Sequence, residues 1–412
     1  MIIKNSKTAK ERATEGESKK GLKAVILAAG KSTRTYPLTL TRPKPLLKIL
    51  NKTLLERNLD QLKGIVDEVI LVVGYRKEML MEFIGKTYKD LAITFVEQKT
   101  QLGTGDALEC VKEHLDGKFI FMCGDDLYSR KDIENCLQHK YALLGKKVND
   151  PERFGVLVTK EGKLTEIVEK PKEFVSDIAN TGLYVLDKNV FCFNPEKSDR
   201  GEYEATDYIT NLAKKEDVFV EETGDFWIPI GYPWNLIEAN AFFLKDIKTD
   251  IRGNVEDYVT IKGNVVIGKN TIIKSGTYIE GPVMIGENCI IGPGAYIRPD
   301  TTIGNNCTIR AEVFDAIIMD GTVAKHYSYI AHSVLCEDVN VAAGTITSDY
   351  RHDGKNIITM VNEKRVDSGR RKLGSFIGDH VRTGINTCIY PGRKIWPDKS
   401  TLPGEVVKKD VK

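Results

Sequence analysis

Two rhythms of apolar residues divide the chain. From residue 22 to about 245, short apolar runs alternate with segments whose apolar positions recur at helical spacing. The runs KAVILAAG, EVILVVGY, AITFVEQ, KFIFMCGDD, FGVLVTK and TGLYVLD predict strands, and 53–63, 77–86, 104–115 and 205–215 predict helices. Such alternation predicts an α/β, Rossmann-like sheet with ligands gathered beyond the carboxyl ends of its strands.

The second rhythm has period six. Val255, Ile261, Ile267, Ile273, Ile279, Ile285, Ile291, Ile297, Ile303 and Ile309 recur without a miss, with Gly, Asn, Asp and Pro between them. Neither an α-helix nor an ordinary sheet repeats every six residues. A coil with three short flat faces does, so this half predicts a hexapeptide-repeat β-helix. The beat slips near 312–335, continues through VNVAAGTI, and resumes at Ile377, Thr383, Ile389 and Ile395. Between them, 346–373 is polar and reads as an inserted loop. The expected organisation is a mobile polar leader over 1–20, an α/β unit over 21–248 and the β-helix over 249–405. The repeat alone leaves open whether that half is only a stiff oligomerising rod or also a catalytic one.

Charge and composition narrow the picture. The 412 residues carry a net charge of +2, without the basic excess of a general nucleic-acid binder. No apolar run has the length of a membrane span, and no signal peptide is evident. The eight cysteines are scattered, with no CxxC pair, as expected of reduced thiols in a cytoplasmic protein.

Candidate chemistry begins at residues 27–47, LAAGKSTRTYPLTLTRPKPLL. A strand ends in small residues that leave backbone N–H groups accessible, and Arg34 and Lys44 follow ten residues apart. Such a turn with added cations suits anions, phosphates foremost. Taken with PLT and RPKPLL at their spacings, this stretch resembles the start of the sugar-1-phosphate nucleotidylyltransferases. These couple a sugar 1-phosphate to a nucleoside triphosphate, giving a nucleotide sugar and pyrophosphate. The resemblance runs from residue 22 to about 400, and its nearest form is the archaeal-type two-domain enzyme with a C-terminal left-handed β-helix. Some such enzymes add an amino-sugar acetyltransferase activity.

The resemblance assigns roles. Arg34 contacts the leaving phosphates and Lys44 the α-phosphate region, while Ala29 and Gly30 offer backbone N–H groups to the nucleotide. In VEQKTQLGTGDAL, Gln98 and Gly103 hold a pyrimidine base, favouring UTP or dTTP, and Thr104 is the expected cap of the helix that follows. In FIFMCGDDLY, Asp125 is the magnesium ligand. Gly155, Glu169 and Lys170, with Asn180 and Thr181, form the sugar-phosphate pocket. Two departures stand out: Ser32 replaces the second glycine of the family's GxG, and Pro229 occupies the place of a second aspartate ligand to the metal. Proline offers no side-chain ligand, so a regulatory or scaffold subunit that binds nucleotide sugar without turnover is the rival expectation.

In the β-helix, AKHYSYIAHSVLCEDVNVAAGTITSDYRHDGK resembles the acetyl-transfer segment of bifunctional relatives. The resemblance makes His326 the general base, Tyr329 and Lys355 substrate contacts, and Arg298 a substrate-phosphate contact, with acetyl-CoA in a groove between neighbouring β-helices. Here too the chain departs. Phe314 stands where a Lys is usual, Asp349 replaces an Asn, and Ile330-Ala331-His332 replaces Leu-Gly-Asp. RRK at 370–372 reads as a solvated basic patch. Exposed edges of such coils are commonly covered by side-by-side packing, so a homotrimer is expected.

Overall fold

A computed structural model describes residues 21–198 and 201–412. The expected leader, residues 1–20, lies outside the described residues.

The first unit is built on a ten-stranded mixed sheet. At its centre, Lys23–Ala28 pairs in parallel with Glu68–Val73 on one side and Phe119–Cys123 on the other. Leu91–Glu97 adds beyond Glu68–Val73, also parallel. Successive residues of the central strand enter opposite cores. Ala24, Ile26 and Ala28 face one side, against Leu55, Leu59 and Leu62 of the helix Leu54–Leu62. Val25 faces the other, with Leu108 of Thr104–Cys110 and Ile209 and Leu212 of Ala205–Ala213. This two-residue alternation, with helices on both faces, is what a buried parallel sheet requires. The helix Leu54–Leu62 starts from a capping box, in which Thr53 accepts the Glu56 N–H and Glu56 accepts the Thr53 N–H.

The second unit is a three-faced parallel β-helix whose sheets hold eight, five and eight strands. Ile267 stacks on Ile285 and Ile285 on Ile303, so one coil uses eighteen residues, three faces of six. The period-six residues from Ile267 to Ile309 are all fully buried in one axial core. Where the beat slips, coils shorten: Ile297 stacks on Val313 and Ile303 on Ile318. Ile346–Thr347 keeps its place in the stack, beside Tyr329 and Cys388. The chain then leaves, forms the hairpin Ile358–Val361 with Lys364–Asp367, and re-enters at Phe376–Ile377 on Val334–Leu335.

The two units share a core. Leu38, Leu47, Ile49, Leu236 and Ile237 pack in one cluster with Ile317, Met319, Val334 and Phe376. The helix Pro233–Leu244 lies at this seam. Its buried Asn240 donates to the Asp300 carbonyl at 3.0 Å and accepts the Thr302 hydroxyl at 2.8 Å. The phosphate segment 27–47 therefore runs from the sheet onto the β-helix.

Candidate active site

Three parallel strands deliver their carboxyl ends to one edge. Lys23–Ala28 ends in Ala29-Gly30, Leu91–Glu97 in Gln98, and Phe119–Cys123 in Gly124-Asp125. The approach is tight: a Cβ on Gly124 would lie 2.3 Å from the Leu27 carbonyl oxygen, so only glycine fits. The loops enclose a cleft of about 240 Å³ lined by Ala29, Gly30, Lys44, Gln98, Gly103, Thr104 and Asp125.

Lys44 comes from the short 3-10 turn Lys44–Leu46, between Pro43 and Pro45. Its side chain is 3% exposed, and its ammonium donates to Asp125 Oδ2 at 2.8 Å. The Asp125 carboxyl remains open to the cleft mouth, 41% exposed. Burial among its neighbours pushes its pKa up, but Lys44 and, further off, Arg34 outweigh this and hold it below the usual carboxylate range. Arg34 itself is exposed, with its guanidinium over the Tyr232 ring. Lys44 and Asp125 thus line one cavity, and the charge of Arg34 acts on Asp125.

Asp126, the next residue, behaves in the opposite way. Burial, then the charge of Asp125, pushes its pKa up to about 7. Its Oδ2 accepts the Trp227 indole N–H at 3.0 Å, and its strand pairs directly opposite Pro229. Pro229 therefore adjoins the acidic pair through the backbone ladder while offering no oxygen ligand from its side chain. Among the described residues, no three His, Cys, Asp or Glu side chains form a metal cage. One open carboxylate at the mouth of a cleft is a donor set that suits magnesium, which takes one or two carboxylates and keeps waters and substrate phosphates.

At the far wall, Gln98 is 4% exposed and its amide nitrogen donates to the Gly103 carbonyl at 3.0 Å and to Asp106 at 2.7 Å. Both donors are spent, which leaves the amide oxygen as its group for a ligand. Gly103 has φ +110°, and a Cβ there would meet the Tyr203 carbonyl oxygen at 2.3 Å. Its glycine serves the packing of 201–204 against this turn. Thr104 differs from the expected cap: it is the first residue of its helix, and its hydroxyl accepts the N–H of Ala205, at the start of a different helix, at 2.9 Å. The GEYEATDYI stretch thus docks on the turn around Gly103, and its Glu202 lines the cleft. Ser32 also lines the cleft and sits at φ 51°, a left-handed conformation that glycine adopts without steric cost.

Gly155, Glu169, Lys170 and Asn180, expected to hold the sugar phosphate, form a second group. A Cβ on Gly155 would lie 2.9 Å from Glu169 Oε2 and 4.0 Å from Asn180 Cβ, so these three converge. Lys170 Nζ is 3.5 Å from Glu169 Oε1. Thr181 is different. It is 1% exposed and its hydroxyl donates to the Leu144 carbonyl at 2.8 Å, so that side chain holds the sheet together. The reason is an irregularity between Asn180 and Tyr184, where the register against Ala142–Lys147 shifts. The displaced backbone brings Gly182 against Cys123, which lines the cleft.

In the β-helix, His326 is exposed in the turn between Val323–Ala324 and Tyr329–Ala331, and Lys355 is exposed in the insertion. Arg298 donates to Glu312 at 2.9 Å and lies 4.2 Å over the Phe314 ring. The three departures from the resembled pattern are neighbours. Phe314 meets the His332 ring edge-on, and His332 sits between Asp315 at 2.7 Å and Asp349 at 3.2 Å. Burial, then Asp349, pushes the Tyr329 hydroxyl pKa up. Arg370 leaves the solvated patch expected of it and pairs with Asp315 at 3.2 Å and Glu238 at 3.3 Å. Sequence reading assigned His332 nothing; the signal was that three unusual residues occurred in one segment.

A cleft at the carboxyl edge of a doubly wound sheet, holding a Lys–Asp pair and joined to a β-helix, defines a two-domain nucleotidyl transferase. A family described as Nucleotidyl transferase matches residues 23–246, and one described as GMPPB C-terminal domain matches 279–402. The chain belongs to the nucleotidyl transferase family. It is 43% identical over 401 residues to a bifunctional sugar-1-phosphate nucleotidylyltransferase/acetyltransferase of Sulfurisphaera tokodaii, covering 95% of this chain and 98% of that protein. It is 39% identical to the bifunctional protein GlmU of Methanocaldococcus jannaschii, covering 90% and 91%. Among solved structures, a putative glucose-1-phosphate thymidylyltransferase from Bacillus anthracis superposes with TM-score 0.50 at 29% identity, over 56% of this chain and 97% of that one.

Proposed function

We propose that this protein transfers a nucleotidyl group from UTP or dTTP to a sugar 1-phosphate, glucose 1-phosphate or N-acetylglucosamine 1-phosphate, releasing pyrophosphate. The observation that carries the reading is the buried Lys44 ammonium held 2.8 Å from Asp125 at the mouth of the strand-end cleft. A phosphate oxygen of the sugar 1-phosphate attacks the α-phosphorus in line, and the bond to the pyrophosphate oxygen breaks. Such transfers depend mainly on positioning and on neutralising phosphate charge. Lys44 neutralises the α-phosphate, Arg34 the leaving phosphates, and the Gln98 amide oxygen accepts a pyrimidine N–H. Glu169 and Asn180 take sugar hydroxyls, and Lys170 takes the sugar phosphate. Asp125 would hold magnesium, which when bound supplies further charge neutralisation to the phosphates.

A second activity is favoured by the length over which the bifunctional relatives match. In it, an amino-sugar 1-phosphate takes an acetyl group from acetyl-CoA, His326 accepts the amine proton, and Arg298, Tyr329 and Lys355 contact substrate. This site belongs to a homotrimer. Eight unpaired cysteines suit a reducing, cytoplasmic setting.

Pyrophosphate release from a panel of sugar 1-phosphates with UTP or dTTP and magnesium tests the first activity. It should fall by about 10²-fold or more in Asp125→Ala. Silence of the parent across the panel would favour the regulatory-subunit alternative. Thiol release from acetyl-CoA with glucosamine 1-phosphate tests the second activity and should vanish in His326→Ala.

A further inference from the structure

Arg34 and Lys44 are carried by one segment, and both ends of that segment are fastened to the β-helix. At the Lys44 end, Arg42 is 7% exposed. Its Nη2 donates to Asp379 Oδ1 at 2.6 Å and its Nη1 to Glu337 Oε1 at 2.7 Å. The Thr41 hydroxyl donates to the other oxygen of Asp379. Asp379 is 3% exposed and is fixed in turn by the Glu337 backbone N–H at 2.8 Å. Just beyond, Lys48 donates to Asp320 at 2.7 Å. At the Arg34 end, Asn362, at the tip of the inserted hairpin, donates to the Thr33 hydroxyl at 3.0 Å. The hairpin is itself pinned, since Thr359 donates to the Gly392 carbonyl and Lys394 to the Met360 carbonyl, both at 2.6 Å. From within the first unit, the Tyr75 hydroxyl holds the middle of the segment at the carbonyls of Thr39 and Leu40, and Asp125 meets Lys44 itself.

We propose that Asp379 of the β-helix is a positioning residue for nucleotidyl transfer. Through Arg42 and Thr41 it fixes the backbone that holds Lys44 against Asp125, while the hairpin tip steadies the Arg34 end. The sequence between anchor and cation is Arg42-Pro43-Lys44-Pro45. Each proline fixes its own φ and restricts the residue before it, so this stretch has little slack. A displaced Arg42 moves Lys44 with it. The β-helix is on this account part of the nucleotidyl-transfer apparatus. The proposal rests on the reading of Arg34 and Lys44 as the phosphate-handling cations.

The test uses the full chain with magnesium, UTP or dTTP, and the sugar 1-phosphate that the parent turns over fastest. Asp379→Asn keeps the side-chain shape and one acceptor oxygen but loses the charge. It should lower kcat by about 10-fold with KM changed less than about 2-fold, since small misplacements of a charged group are costly to the transition state. Asp379→Glu should recover part of the loss, and the exposed Asn362→Ala should show a smaller fall in kcat. A merely structural contact would lower the melting temperature and leave kcat of the folded protein unchanged. If Asp379→Asn does not fold, Glu337→Gln, whose side chain is 31% exposed, replaces it with the same expected direction. Parental kcat in a folded Asp379→Asn, or in Glu337→Gln when that variant stands in, overturns the clamp alone. A parent silent with both nucleotides and several sugar 1-phosphates overturns the functional reading and the clamp together.

Discussion

Two adjacent carboxylates at one strand end do different work because their partners differ. Asp125 opens to the cleft and is stabilised as an anion by Lys44. Asp126 turns to Trp227 and is held near neutral-pH titration by burial and by the charge beside it. The second case has a measurable consequence. In the folded protein Asp126 keeps its proton up to about pH 7, whereas in the unfolded chain it loses it near pH 4. The folded state therefore binds more protons between those values, and its stability declines as pH rises through that window. Asp126→Asn retains an oxygen for Trp227 and cannot ionise. Without divalent metal, its melting temperature relative to the parent should be higher at pH 8 than at pH 5. A pH-independent difference would show that Asp126 ionises in the fold as it does in the unfolded chain. Asp125 and Lys44 were legible in the sequence because their neighbours along the chain carry the motif. The fate of Asp126 was not, because Trp227 lies 101 residues away. Nor was the spending of the Thr181 hydroxyl on Leu144, which a strand irregularity decides.

At the scale of elements, period is what made the fold readable. Alternating runs predicted the central strands to within a few residues, and the six-residue beat predicted the β-helix core. The helix Pro233–Leu244 escaped because it has no single apolar stripe: Trp234, Leu236, Ile237, Ala239, Asn240 and Leu244 are all buried around it. A helix wedged between two units loses the amphipathic signal that sequence reading needs. The β-helix core also makes its own prediction. Ile297 is fully buried and stacks between Ile279 and Val313. Neighbouring coils are fixed by their ladders and cannot collapse into a void, so Ile297→Ala should cost about 2–5 kcal/mol. Denaturant unfolding should show the loss as a lower midpoint with an unchanged slope, and a loss well under 1 kcal/mol would mean that the coils relax.

At the scale of the molecule, the seam and the outer faces of the β-helix play different parts. The seam is closed by a shared apolar core and buried ion pairs, which ties the cleft of one unit to the coils of the other. The outer faces leave Tyr327, Ile346, Ile385, Tyr390, Leu402 and Val406 exposed. Ile346 and Val406 project from strands of one eight-stranded face, so the apolar surface follows the stack rather than scattering. Exposed apolar side chains along parallel coils suit a partner, and the proposed homotrimer would supply one as second and third copies of the same face. His326 and Lys355 are exposed on this half of the chain, as groups completed by a neighbouring copy would be. Light scattering during size exclusion should therefore return a mass three times 46.1 kDa. Ile346→Glu with Val406→Glu should shift it toward a single chain and abolish acetyl transfer, while pyrophosphate release, whose cleft lies within one chain, should persist. A parent of 46.1 kDa at micromolar concentration would contradict the trimer, and loss of both activities together would contradict the division of labour between the cleft and the outer faces.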